Sequence, residues 1–238
     1  AVRLNDVAAD GASTRVHHGI LNLTRPTDCS TTTPLMPGEP LTVRVEIDDI
    51  GHAFAAGHRI AVSVSSTYWP LVWPSPEPVT LTLVAGQCHL ELPVRPTNPT
   101  DAALRPFQEA VNGPGEETTA INEAAVTRTI TRNMLDGTVT EHTIFDDGLT
   151  FHNELALTDG AHGQSWHSVR EGDPLSAESR TERVDHWKKN GLEIELHTRQ
   201  HLTADGTDFH FTAKMEAFEN GQKVFSRTWE EAIPRDGN

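Results

Sequence analysis

Ser165 stands in Gly163-Gln164-Ser165-Trp166-His167, the nearest approach in this chain to the Gly-x-Ser-x-Gly elbow, where flanking glycines let a strained turn expose a nucleophile. His167 occupies the place of the second glycine, so Ser165 reads as an ordinary strand or turn residue. His197 and His201 in "HTRQH" have the four-residue spacing of a zinc-hydrolase helix, but that motif also needs a glutamate base, and the surrounding pattern has a strand period. On a strand the two imidazoles would lie about 13 Å apart at ~3.3 Å per residue, with the cation Arg199 between them on the same face. No shared ion is expected there.

The chain holds thirteen histidines, and His162, His167, His186, His197, His201 and His210 fall in its second half. They are expected as solvated or hydrogen-bonded sheet residues. Adjacent acids occur at Asp48-Asp49, Glu116-Glu117, Asp146-Asp147 and Glu230-Glu231, but acid–base catalysis needs one buried acid facing a second group. Neighbouring strand residues point to opposite faces, so these pairs read as solvated surface. "NGPGEE" lacks the lysine of a phosphate cradle, and the Asp10-Gly11 and Asp49–Gly51 stretches lack a complete calcium-loop spacing. No cofactor and no metal is expected.

The elements that carry these residues are strands. "LTVRVEI" (41–47), "RIAVSVSS" (59–66), "VTLTLV" (79–84) and "HLELPV" (89–94) alternate apolar and polar residues, the period of a half-buried strand. Pro74, Pro76 and Pro78 block a helix between them. Residues 97–123 are rich in Pro, Gly, Asn and acid and read as a linker. From 124 onward, segments of about ten residues are separated by Asp136-Gly137, Asp147-Gly148, Asp159-Gly160, Asn190-Gly191, Asp205-Gly206 and Asn220-Gly221, pairs that favour tight hairpins. The expected fold is all-β: a sandwich region over 1–96, a linker over 97–123 and an antiparallel meander over 124–238 with one wet face.

Composition bounds the partners. Nineteen Lys and Arg against 34 Asp and Glu give a formal charge of −15, which repels phosphate backbones and anionic headgroups. Neither nucleic acid nor a membrane is an expected partner. No apolar run approaches the ~20 residues that span a bilayer, and a cytoplasmic location is expected, with export left open. Cys29 and Cys88 are too few for a disulfide scaffold or a zinc finger and are expected as free thiols.

"VRLNDVAADGASTRVHHGILNL" (2–23) followed by "PGEPLTVRVEIDDIGHAFAAGHRIAVSVSSTYWP" (37–70) resembles the later part of the C-terminal β-sandwich of Xaa-Pro dipeptidyl-peptidase and cocaine-esterase-like serine hydrolases. The resemblance rests on the order of an Arg-Leu-x-Asp-Val strand, an Asp-Gly turn, Pro-Gly-Glu-Pro and Ala-Gly-His-Arg-Ile. It implies a partial, galactose-binding-like jelly roll whose first strands lie upstream, and a catalytic triad in an upstream α/β-hydrolase domain, with no triad residue in this chain. That missing domain is the expected partner; strand edges left open would also favour a homo-oligomer. Among the matching residues, Asp10 and Gly11 are expected to reverse the first hairpin, Gly57 to permit entry into the 59–66 strand, and Arg59 to pair with Asp48 or Asp49.

"STYWPLVWPSPEP" (66–78) concentrates aromatics at a strand's end in a chain poor in them. Tyr68, Trp69 and Trp73 are the candidate interdomain surface; the other reading is a core cap where prolines stop the ladder. Three functions compete: a non-catalytic region of a serine hydrolase serving stability, interdomain packing and the substrate-pocket rim; a carbohydrate- or small-ligand-binding module, since jelly rolls and curled meanders host such sites; and a structural or oligomerisation domain.

Overall fold

The computed structural model describes residues 1–26, 30–111 and 113–237; Cys29 lies outside them. Two antiparallel sheets account for every strand. The first has three strands in the order β2-β1-β3, with β1 at Val2–Val7, β2 at Ser13–Gly19 and β3 at Arg59–Val64. The second has eight: β4 (Thr118–Asn122), β5 (Ala125–Arg132), β6 (Thr138–His152), β7 (Leu157–Arg170), β8 (Asp173–Lys189), β9 (Leu192–Ala204), β10 (Asp208–Glu219) and β11 (Gln222–Pro234). Each of β6 to β11 pairs with its neighbour in sequence, while β4 and β5 both pair with β6. The all-β expectation is met, and no described helix is long and apolar enough to cross a membrane.

Three expected strands are corrected. Residues 41–47, 79–84 and 89–94 join no ladder and are mostly exposed. Alternation marks two faces, but a strand also needs a neighbour in hydrogen-bonding register. Here Arg44 of the first segment meets Glu91 of the third through their side chains, at 3.9 Å. The 41–47 segment does run against the end of β2: a Cβ on Gly19 would stand 2.1 Å from the Glu46 carbonyl oxygen.

The meander strands run 12 to 17 residues from β6 to β11, not about ten. Asp136-Gly137, Asn190-Gly191, Asp205-Gly206 and Asn220-Gly221 sit between strands, and Asn190 and Asn220 take positive φ ahead of positive-φ glycines. Asp147-Gly148 and Asp159-Gly160 instead lie inside β6 and β7. The true reversals are at 153–156 and at Glu171-Gly172. The two interior glycines serve close backbone approach: Gly148, at φ +76°, makes a bulge, and a Cβ on Gly160 would stand 2.1 Å from the Gly148 carbonyl oxygen. Gly160→Ala must therefore part β6 from β7, and a loss of about 2 kcal/mol in urea unfolding is expected, in the range of overpacking changes.

Register sorts the large sheet into two faces. Leu196, Leu202, Phe209, Phe211, Met215 and Trp229 share one face, while Glu182, Arg199, Lys214 and Glu216 share the other. The expectation of one wet side is only partly met, because the apolar face is half-buried and incompletely covered: Trp187, Ile194 and Phe225 are 36%, 37% and 46% exposed. Only Leu4, Ala161, Ala177 and Ala204 form the buried apolar core of the described residues. The chain exposes 17511 Å², whereas a compact monomer of this mass exposes about 10,600 Å².

Candidate functional site

The loop after β3 turns between the two sheets. The Ser65 hydroxyl donates to the Thr67 carbonyl (2.6 Å) and the Ser65 N–H to the Ala1 carbonyl (3.0 Å), fixing the strand's exit. The Val72 N–H then donates to the Tyr68 carbonyl, closing a tight turn around the cis Trp69–Pro70 peptide. This turn separates neighbouring aromatic rings. Tyr68 faces the first sheet, where Arg15 donates to its hydroxyl and the Arg3 guanidinium lies 5.0 Å from its ring centre. Trp69 and Trp73 face the second, meeting edge to face at 4.9 Å, with His167 on β7 6.2 Å from Trp69 and Phe209 on β10 5.6 Å from Trp73.

Arg235, just past β11, locks this arrangement. It is 4% exposed and donates to the Pro74 carbonyl (2.5 Å) and the Asp205 carbonyl (3.0 Å), with its guanidinium 4.9 Å from the Phe209 ring centre. Burial pulls its pKa down, partly offset by the charge of Asp205. The Asp205 carboxyl is held far below the usual range by the Thr207 N–H, His210 and the Asp208 N–H. Beyond Arg235, the Gly237 carbonyl accepts from Asn22 (2.9 Å) and Thr24 (2.5 Å). The seam thus joins three places far apart in sequence. Four of its buried polar atoms, Thr67 Oγ1, Trp69 Nε1, Trp73 Nε1 and Arg235 Nε, lack a hydrogen-bond partner.

The remaining singled-out residues lie at turns of the first sheet. The Asp10 carboxylate accepts from the Ala12 N–H at 2.9 Å, and Gly11 takes φ +91° between β1 and β2. Gly57, at φ +86°, precedes β3. Arg59 is exposed, and among the described residues no ion pair joins it to Asp48 or Asp49. The acid that organises this end is Asp6, which meets His52 at 3.0 Å and His58 at 2.7 Å. Its pKa is lowered by the His52 hydrogen bond first, with burial opposing and His58 assisting. The signal in "GHAFAAGH" was a histidine beside each of two glycines.

A nucleophile reading of Ser165 or Ser179 fails on geometry. Ser179 Oγ lies 3.1 Å from His167 Nδ1, a serine–imidazole contact that register places on one face of β7 and β8. A nucleophile also needs an oriented base and donors aimed at an oxyanion. Among the described residues no carboxylate hydrogen-bonds His167, and the surrounding N–H groups belong to the β7–β8 ladder. Ser165 lies in regular β7, without an elbow.

Five histidines of the large sheet, His152, His186, His197, His201 and His210, meet acids. His152 meets Glu116 and Asp159, which raise its pKa in that order of size against burial; His201 meets Glu178 and His210 meets Asp205. His197 and His201 therefore bind separate carboxylates. Among the described residues, the nearest approach to a metal centre is His186, Glu193 and Glu195, whose ligand atoms lie within 4.8 Å of one another. His186 Nε2 meets Glu193 at 2.8 Å, but its Nδ1 is buried without a partner. A metal on Nε2 would place the proton on Nδ1, where ligating histidines normally find an acceptor. The donor set fits an ion-pair cluster better than a metal site. Cys88 is a free, exposed thiol.

Comparison with known proteins agrees with this absence of a catalytic arrangement. Residues 1–132 match the family described as the X-Pro dipeptidyl-peptidase C-terminal non-catalytic domain. No curated protein and no solved structure matches the chain. The match takes in the three-stranded sheet, the Tyr68–Trp73 turn, and β4 and β5 of the large sheet. This chain belongs to the X-Pro dipeptidyl-peptidase C-terminal non-catalytic domain family.

Proposed function

We propose that the chain is an accessory module of a serine hydrolase of the X-Pro dipeptidyl-peptidase or acyl-esterase kind, stabilising the α/β-hydrolase domain, packing against it and contributing to the rim of its substrate pocket. The observation that carries this reading is the exposed surface of 17511 Å², about 7,000 Å² above that of a compact monomer of this mass. Stable interfaces between obligate partners bury 2,000–5,000 Å² or more, so the excess is ample for a docked domain. Segments 41–47, 79–84 and 89–94, whose apolar side chains are unladdered and largely exposed, are the natural contact. A net charge of −15 is compatible with a protein partner and opposes polyanions.

Two measurements test it together. A serine-directed fluorophosphonate probe is expected to leave this chain unlabelled; labelling would mean that it carries its own nucleophile. Joined to the hydrolase domain of its reading frame, the chain is expected to show hydrogen-exchange protection in 41–47 and 79–94. Unchanged exchange there would remove the docking role.

A further inference from the structure

We infer that the free edge of β11 is a self-pairing surface, joining two copies of this chain through an antiparallel β11–β11 ladder centred on Trp229. β11 ends the order of the large sheet, with β10 on one side and, among the described residues, no strand on the other. All thirteen of its residues except Trp229 are exposed. Natural edge strands are usually protected by proline, by bulges, by shortness or by charged side chains, and β11 carries charges of both signs, which a second copy can pair. Here Pro234 stands only at the end, and the register shift lies near the opposite end, opposite Ala217 and Phe218.

The side chains make the edge self-complementary. Register with β10 places Phe225, Arg227, Trp229, Glu231 and Ile233 on one face, an order of apolar, cation, aromatic, anion and apolar. An antiparallel copy related by a two-fold axis at Trp229 sets Phe225 opposite Ile233 and Arg227 opposite Glu231, each contact made twice, and Trp229 opposite itself on the axis. Because a two-fold axis normal to the sheet preserves its faces, the opposed positions must be of equal parity, which leaves few registers. Centring on Arg227, Glu230 or Glu231 opposes like charges, and centring on Thr228 sets Phe225 against Glu231. Only the Trp229 register matches both charges and both apolar positions.

The charges are available for this. Among the described residues neither Arg227 nor Glu231 has an ion-pair partner; Arg227 lies over its own neighbour Trp229 at 4.8 Å. The −15 charge on each copy opposes association at low ionic strength, but is screened beyond about 8 Å at physiological salt. The partner is therefore a second copy of this chain, held by main-chain hydrogen bonds and specified by two ion pairs.

Sedimentation equilibrium of the chain in physiological salt is expected to give twice the monomer mass. Arg227→Glu and Glu231→Arg, each alone, replace two attractions by two repulsions and should raise the dimer dissociation constant about tenfold or more. The double substitution restores the attraction and should restore the dimer. Trp229→Cys, in a chain also carrying Cys29→Ser and Cys88→Ser, should form an intermolecular disulfide, because directly opposed residues have Cα atoms about 4.5–5.5 Å apart. A monomer at every soluble concentration would overturn the proposal. So would a dimer indifferent to both charge reversals and lacking the crosslink, or β11 amides protected only when the hydrolase domain is attached. These outcomes are separate from probe labelling, which bears on the accessory role alone.

Discussion

Trp73→Ala is expected to lower the melting temperature by about 10 °C. Removing a well-packed Trp typically costs about 3–5 kcal/mol, and a domain of this size shifts by about 2–4 °C per kcal/mol. Trp73 holds contacts on both sides of the seam, with Trp69 in its own loop and Phe209 on β10. The chain has no second core to compensate, since its buried apolar residues are Leu4 and three alanines among those described. Differential scanning calorimetry should show this as a split transition, the first sheet melting ahead of the meander. Trp73→Phe keeps an aromatic body and should recover more than half of the loss. A shift below about 2 °C for Trp73→Ala would mean that the sheets are held together elsewhere.

Arg235→Met should cost about 2–4 kcal/mol, although it removes a buried charge without a carboxylate partner. The guanidinium satisfies the buried carbonyl of Pro74 and the part-exposed carbonyl of Asp205, and a buried acceptor left without a donor costs about 1–3 kcal/mol. The methionine side chain keeps the contact with Phe209, which holds the loss below the sum of the two. Arg235→Lys supplies a single ammonium where two diverging carbonyls need a fork, so it should fall between wild type and Arg235→Met in urea midpoint. Because Trp73 and Arg235 both touch Phe209 and meet through Pro74, the double variant should lose less than the two singles added together. Strict additivity would show that they act as independent anchors.

How much of this could be read from residues alone follows from what sequence patterns encode. Strand period and Asn-Gly pairs are local, and β8 to β11 with the turns at 190–191 and 220–221 lie where those signals put them. Gly148 and Gly160 misled because the pair that makes a hairpin turn also suits a bulge and a close backbone crossing. The alternation at 41–47, 79–84 and 89–94 described faces truthfully but could not supply the neighbour that a ladder requires. "STYWPLVWPSPEP" announced an unusual strand end. Its contact with His167 and Phe209 depends on tertiary placement, and Arg235, an ordinary basic residue near a chain end, carried no mark of burial. Asp6 was hidden for the same reason, since only the fold brings His52 and His58 to it.

The bond from Arg235 to the Pro74 carbonyl spans 161 residues, which sets a schedule for synthesis. At about 5–20 residues per second, a ribosome needs roughly 10–30 s to pass from one partner to the other. Until β7 and β10 are made, the two indoles lack the rings of His167 and Phe209 that receive them. The seam therefore closes only after the long hairpins that build its far wall.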